Sequence, residues 1–188
     1  MNRRFSPRDV AAIAGGFAIG VLGSRLLTPA LAAGNGNIRS RLGEDPFERL
    51  IQDHREIIAT LQRMEETPAS STLTRAKLFQ KLKRTLAKHS MAEEDIVYPM
   101  LNDATNDASE AKPFYEDHAD IKVRLFELER LLKTGEEWTG QVRDLREIIE
   151  IHAQEEEQTE FPKLREALDE RRTRMLSSQI RREEALVL

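Results

Sequence analysis

From about residue 45 to 165 the apolar positions recur at spacings of three and four, the period of a helix with one buried face. Four helices are predicted. The first opens at Asp45-Pro46, an N-cap followed by proline at the first helical position. It runs to about Glu66, with an inner stripe of Phe47, Leu50, His54, Ile57/Ile58 and Leu61. The second follows the polar turn Ala69-Ser70-Ser71 and turns Leu78, Leu82, Leu86, His89, Glu93, Ile96/Val97 and Met100 to one side. Pro99 removes a backbone donor and is expected to kink or end that helix just beyond Glu93. The third carries Phe114, His118, Ile121, Leu125, Leu128 and Leu132 and stops at Gly135; the fourth repeats the rhythm with Trp138, Val142, Leu145, Ile149, His152, Glu156 and Thr159. No stretch alternates Val, Ile and Thr as a half-buried strand would. The expected fold is all-α, an antiparallel up-down four-helix bundle over residues 45–168, and about 120 residues suffice for a usable core.

The ends of the chain read differently. Residues 1–33 place Arg3, Arg4 and Arg8 before the apolar run Val10 to Leu22, with a small-residue stretch at Ala30-Leu31-Ala32. That is the order of a secretory signal, and Arg3-Arg4 in part resembles a twin-arginine export signal, although Ser6-Pro7 departs from it. The competing reading is a membrane anchor in which Gly16 and Gly20 give a close-packing face and Arg25 lies at the interface. Either way the segment is expected to export the chain or associate it with a membrane; without that role the chain would be cytoplasmic. Residues 34–44, beginning Gly34-Asn35-Gly36-Asn37, read as a linker. Residues 169–188 read as a charged, solvated helical extension.

Composition narrows the chemistry. Charged residues make up 33% of the chain, but Lys and Arg interleave with Asp and Glu at a net charge of −4, so no basic face for nucleic acid is expected. The absence of cysteine excludes disulfides and thiolate-bound metal and leaves nitrogen and oxygen as ligands.

All four histidines fall in a duplicated pattern. Asp53-His54 is followed by His89, Glu93 and Pro99, and Asp117-His118 by His152, Glu156 and Pro162. Each second His precedes its Glu by four, so the two side chains lie one turn apart on one helix face. His54, His89, Glu93, His118, His152 and Glu156 thus replace apolar residues in register on the inner stripes. Burying imidazole and carboxylate unpaired costs several kcal/mol, roughly, whereas metal coordination satisfies them together. Two half-sites of two His and one Glu imply a two-metal site within the bundle. Asp53 and Asp117 diverge by about 100° from the His that each precedes, so they are expected to face solvent or a neighbouring helix rather than to orient that His.

The order His, HxxxE, His, HxxxE resembles the hemerythrin-like family, or HHE cation-binding domain, over about residues 45–165. It is not the ferritin-like pattern, which places Glu three residues before His, where this chain has Ile51, Leu86, Tyr115 and Ile149. The resemblance implies a non-heme di-iron centre bridged by Glu93 and Glu156, with His54 and His89 on one iron and His118 and His152 on the other. Ligand type alone leaves zinc or manganese possible. Oxygen-carrying hemerythrins have a fifth His, but the positions one turn either side of His118 hold Phe114 and Lys122. One iron is therefore expected to have an open position, or to be completed by water, Tyr115 or Tyr98.

The function implied is the binding or sensing of O₂, NO or iron itself, with a small diatomic molecule or peroxide as partner. The alternatives are a di-iron enzyme acting as a peroxidase or ferroxidase at the open position, and a bundle stabilised by structural zinc. No core position outside the ligands offers a general base, which favours binding.

Overall fold

A computed structural model of the chain describes residues 45–187, and every regular element among them is helical. The elements are α1 (Pro46–Glu65), α2 (Thr72–Ala92), a first π-turn (Glu93–Val97), α3 (Tyr98–Thr105), α4 (Lys112–Thr134), α5 (Thr139–Glu155), a second π-turn (Glu156–Glu160), α6 (Phe161–Ala167) and α7 (Glu170–Glu184). The signal-like or anchoring segment and the linker expected over residues 1–44 lie outside the described residues. None of the described helices is long and apolar enough to cross a membrane.

The predicted starts and stops have the expected chemistry. The Asp45 carboxylate accepts a hydrogen bond from the Phe47 N–H at 2.9 Å, and Pro46 opens α1. Gly135 ends α4 at φ 72°, a left-handed conformation that a side chain rarely adopts. α1 packs against α2 and α5, and α4 against α5 and α2, so the four long helices close around one interior.

That interior has three layers along the helix axes. Ile57, Leu61, Met64, Leu82, Leu125, Leu128, Trp138, Val142 and Leu145 belong to one apolar cluster. Phe47, Leu50, Val97, Tyr98, Leu101, Phe114, Phe161 and Leu164 belong to a second. On α1 the second cluster is met first, then His54, then the other cluster; on α2 and α5 the His/Glu pairs likewise divide the two. The polar layer is sealed above and below by hydrocarbon.

Pro99, expected to kink or end its helix, does not end it, and neither does Pro162. Each sits in the first turn after a π-turn, and the helix continues, to Thr105 in one case and Ala167 in the other. Proline has no N–H to offer the carbonyl four residues back, so the preceding turn widens. The Tyr98 N–H reaches Glu93 O and the Phe161 N–H reaches Glu156 O, five residues back in each case. The extra residue advances the inward face by one. Val97, Tyr98 and Leu101 are buried while Ile96 and Met100 are only partly so, and Glu160 is buried where the fourth stripe predicted Thr159, which is exposed.

The C-terminal extension is helical, as expected, but it is not solvated all round. α7 packs on α2, the first π-turn and α1. Its Leu176 and Ile180 have no exposed surface and belong to the second cluster, and Glu184 pairs with Arg49 of α1. Two apolar residues four apart on a mostly charged helix make too faint a stripe to read in isolation. Ile180→Ala should destabilise the fold by about 2–5 kcal/mol, as for other buried large-to-small changes. Chemical denaturation reads this, and a change within error would mean that α7 is a passive appendage.

Candidate metal centre

The structure brings the six sequence-predicted residues together. His54, His89, Glu93 and Glu156 form one buried group whose ligand atoms all lie within 4.8 Å of one another, and Glu93, His118 and His152 form a second. His54 and His89 thus fall in one group and His118 and His152 in the other, with Glu93 common to both. Glu93 Oε2 lies 3.0 Å from His89 Nε2 and 3.4 Å from His118 Nε2. Glu156 Oε2 lies 3.2 Å from His54 Nε2 and 3.4 Å from His152 Nε2. One carboxylate therefore faces a histidine from each group, and so does the other.

The donor set fits a metal. His54 Nε2, His89 Nε2, both oxygens of Glu93 and Glu156 Oε2 are buried and make no hydrogen bond. Such atoms are costly in a protein interior unless something else coordinates them. Both glutamates are fully buried and every histidine of the cluster is at most 3% exposed.

Three of the four imidazoles are aimed by acids outside the cluster. His54 Nδ1 lies 2.8 Å from Glu157 Oε1, His118 Nδ1 2.8 Å from Glu94 Oε1 and His152 Nδ1 3.3 Å from Asp117 Oδ2. A carboxylate only accepts, so the Nδ1–H donates in each case and Nε2 is directed inward, its lone pair free once the ring carries a single proton. Asp117 does not orient the His beside it in sequence, as its divergence along α4 requires; it orients His152 on α5. Asp53 is half-buried, and burial raises its carboxyl against the opposing pull of His89 on α2. Glu94 and Glu157 escaped the sequence reading, although both halves repeat the doublets Glu93-Glu94 and Glu156-Glu157. Lys122, one turn beyond His118, pairs with Glu94; the position one turn beyond His54 is Ile58.

The metal-free cluster holds protons. Burial works to lower His54, but Glu156, Glu93 and Glu157 outweigh it and raise the imidazole to about 9. Burial also opposes His118, and Glu93 and Glu94 raise it to about 9. His152 goes the other way, lowered by burial and by His118 and His89. Burial would raise Glu93, yet His89 and His118 hold its carboxyl well below the usual range.

A raised histidine stabilises the fold fully below its unfolded value of 6.5 and loses that contribution as pH rises through about 9. In the same window both imidazoles must give up a proton to a metal. Loading at pH 8 should release about two protons per chain from these histidines, a contribution that falls away as pH rises past 9. Calorimetry in buffers of different ionisation enthalpy measures this, and buffer-independent heats would contradict the histidine assignments.

Comparison with known proteins agrees with this architecture. A family model described as the Hemerythrin HHE cation binding domain matches residues 45–164. An uncharacterized hemerythrin-like protein of Schizosaccharomyces pombe is 24% identical over 142 residues, 74% of this chain and 69% of that protein. A DNA nickase of Nostoc sp. is 22% identical over 159 residues, 81% of this chain, and the chain spans only 44% of the nickase's length. No solved structure matches.

Proposed function

We propose for this chain, which belongs to the hemerythrin HHE cation-binding family, a two-iron centre that binds O₂, NO or iron itself. The observation that carries the reading is the shared Glu93: two groups of buried ligands meet at one carboxylate, as two adjacent cations require. The four long helical segments are read as an up-down antiparallel bundle, because short connections such as residues 66–71 join neighbours that pack side by side. His54 and His89 would hold one iron and His118 and His152 the other, with Glu93 and Glu156 between them. Mixed imidazole and carboxylate donors suit iron, and iron is what the family implies.

When bound, ferrous iron supplies electron density that a diatomic ligand can accept. The chain's own part is to exclude water and fix the donors. Two apolar clusters cap the layer, and Glu157, Glu94 and Asp117 lock the rings on His54, His118 and His152. The nicking activity named for the Nostoc relative belongs to a protein more than twice the matched length and is not carried over.

The test is metal content with an optical spectrum on protein purified without air, followed by titration with NO. Two irons per chain and a saturable NO adduct without turnover support the reading. Saturable peroxide consumption lost in Glu93→Ala would replace it with an enzyme. A single zinc per chain would replace it with a structural role.

Residues 1–33 are proposed to export the chain or hold it at a membrane. Fractionation of expressing cells tests this, and an intact, soluble cytoplasmic chain would overturn it.

A further inference from the structure

The two halves of the ligand pattern are not equivalent, and Tyr98 is where they differ. It stands nine residues after His89, and the residue nine after His152 is Phe161. Both rings are buried, but only one carries an oxygen. Tyr98 Oη donates to Glu156 Oε1 at 2.6 Å and lies 3.1 Å from His118 Nε2, the imidazole nitrogen directed at the centre. The hydroxyl therefore stands beside His118 of the group that counts three residues, Glu93, His118 and His152, against four in the other, and beside Glu156, whose second oxygen lies 3.4 Å from His152 of that three-residue group.

Its position follows from the first π-turn. On an uninterrupted helix the inward positions after Glu93 would be 96, 97 and 100, and residue 98 would point away. The extra residue that Pro99 forces into the turn brings Tyr98 round to the interior. Tyr115, the chain's other tyrosine, is placed elsewhere. It is partly exposed, and its Oη donates to Glu94 O at 2.8 Å. Glu94 O is a carbonyl that the π-turn deprives of a helical donor, since the Tyr98 N–H goes to Glu93 O and Pro99 has none.

We propose that Tyr98 Oη is an additional protein ligand to the ion held by Glu93, His118 and His152, so that the two ions of the centre differ in kind. The inference rests on the two-iron reading above. The phenol O–H bond breaks as the oxygen lone pair binds the ion. The proton leaves through Glu156 Oε1, its present hydrogen-bond acceptor, to solvent, and no electron is transferred. The other ion, beside Phe161, has only histidine and glutamate.

Phenolate bound to iron(III) gives a visible charge-transfer band that imidazole and carboxylate do not. The experiment is the optical and resonance Raman spectrum of the ferric full-length protein, the Tyr98→Phe protein and the Tyr115→Phe protein, with iron measured on each sample. The expected result is a visible band with enhanced tyrosine ring modes in the wild type, unchanged in Tyr115→Phe and abolished in Tyr98→Phe at unchanged iron content. With only two tyrosines in the chain, a band that survives Tyr115→Phe assigns Tyr98 even if the Tyr98→Phe protein fails to fold. Two irons per chain with no such band would overturn the Tyr98 assignment and leave the two-iron reading intact, and so would a band lost in Tyr115→Phe. No iron in any sample would overturn both.

Discussion

If two ions share the centre as proposed, Glu93→Gln should cost the protein both, although it changes one atom. Glu93 belongs to both ligand groups, and its Oε2 faces His89 on one side and His118 on the other. The amide keeps the side-chain volume, so the packing around it need not change, but it removes the negative charge that two adjacent cations share. Changes to groups that merely orient a ligand already cost about 10–100-fold in metal affinity. Loss of the shared carboxylate should exceed that, and elemental analysis after dialysis should find neither ion retained. His89→Ala offers the contrast, since His89 belongs to one group only and the ion at His118 and His152 should survive it. Two ions retained in Glu93→Gln at wild-type affinity would remove the shared-carboxylate reading.

Stripping the metal should lower the unfolding temperature by on the order of 15 °C. A ligand that binds only the folded chain stabilises it by about 4 kcal/mol at a thousandfold excess over its dissociation constant. In a domain of this size each kcal/mol moves the midpoint by about 2–8 °C. The physical reason lies in the polar layer, where His54 Nε2, both nitrogens of His89, both oxygens of Glu93 and Glu156 Oε2 are buried without a hydrogen bond. Differential scanning calorimetry with and without a chelator reads the shift. A midpoint indifferent to chelation would mean that protons alone satisfy the layer, and the metal would have no structural part.

Much of this was legible in the chain because it depends on local spacing. The Asp45-Pro46 start, the Gly135 stop and the convergence of His54, His89, Glu93, His118, His152 and Glu156 follow from helical periodicity and from ligands standing at positions that the rhythm reserves for apolar residues. The acids that aim the imidazoles were half legible. Glu94 and Glu157 repeat in sequence, but the partner of Glu94 is 24 residues downstream in α4 and that of Glu157 is 103 residues upstream in α1. Asp117 shows the limit most clearly: a helix turns neighbours apart by about 100°, which already set Asp117 away from His118, but only the packing of α4 on α5 names His152 as its partner.

The sequence by itself determined the helical class, the register of the ligands within each helix and the two-fold repetition of the site, all consequences of a 3.6-residue period. Only the tertiary structure decided that Glu93 is common to both groups, that α7 covers one end of the bundle, and that Tyr98 turns inward. The first two are matters of which helix packs on which, which no local pattern encodes. The third arises because a proline without an N–H widens the turn before it, and a shift of one residue is enough to exchange the face of a helix that looks at the His/Glu cluster for the face that looks away.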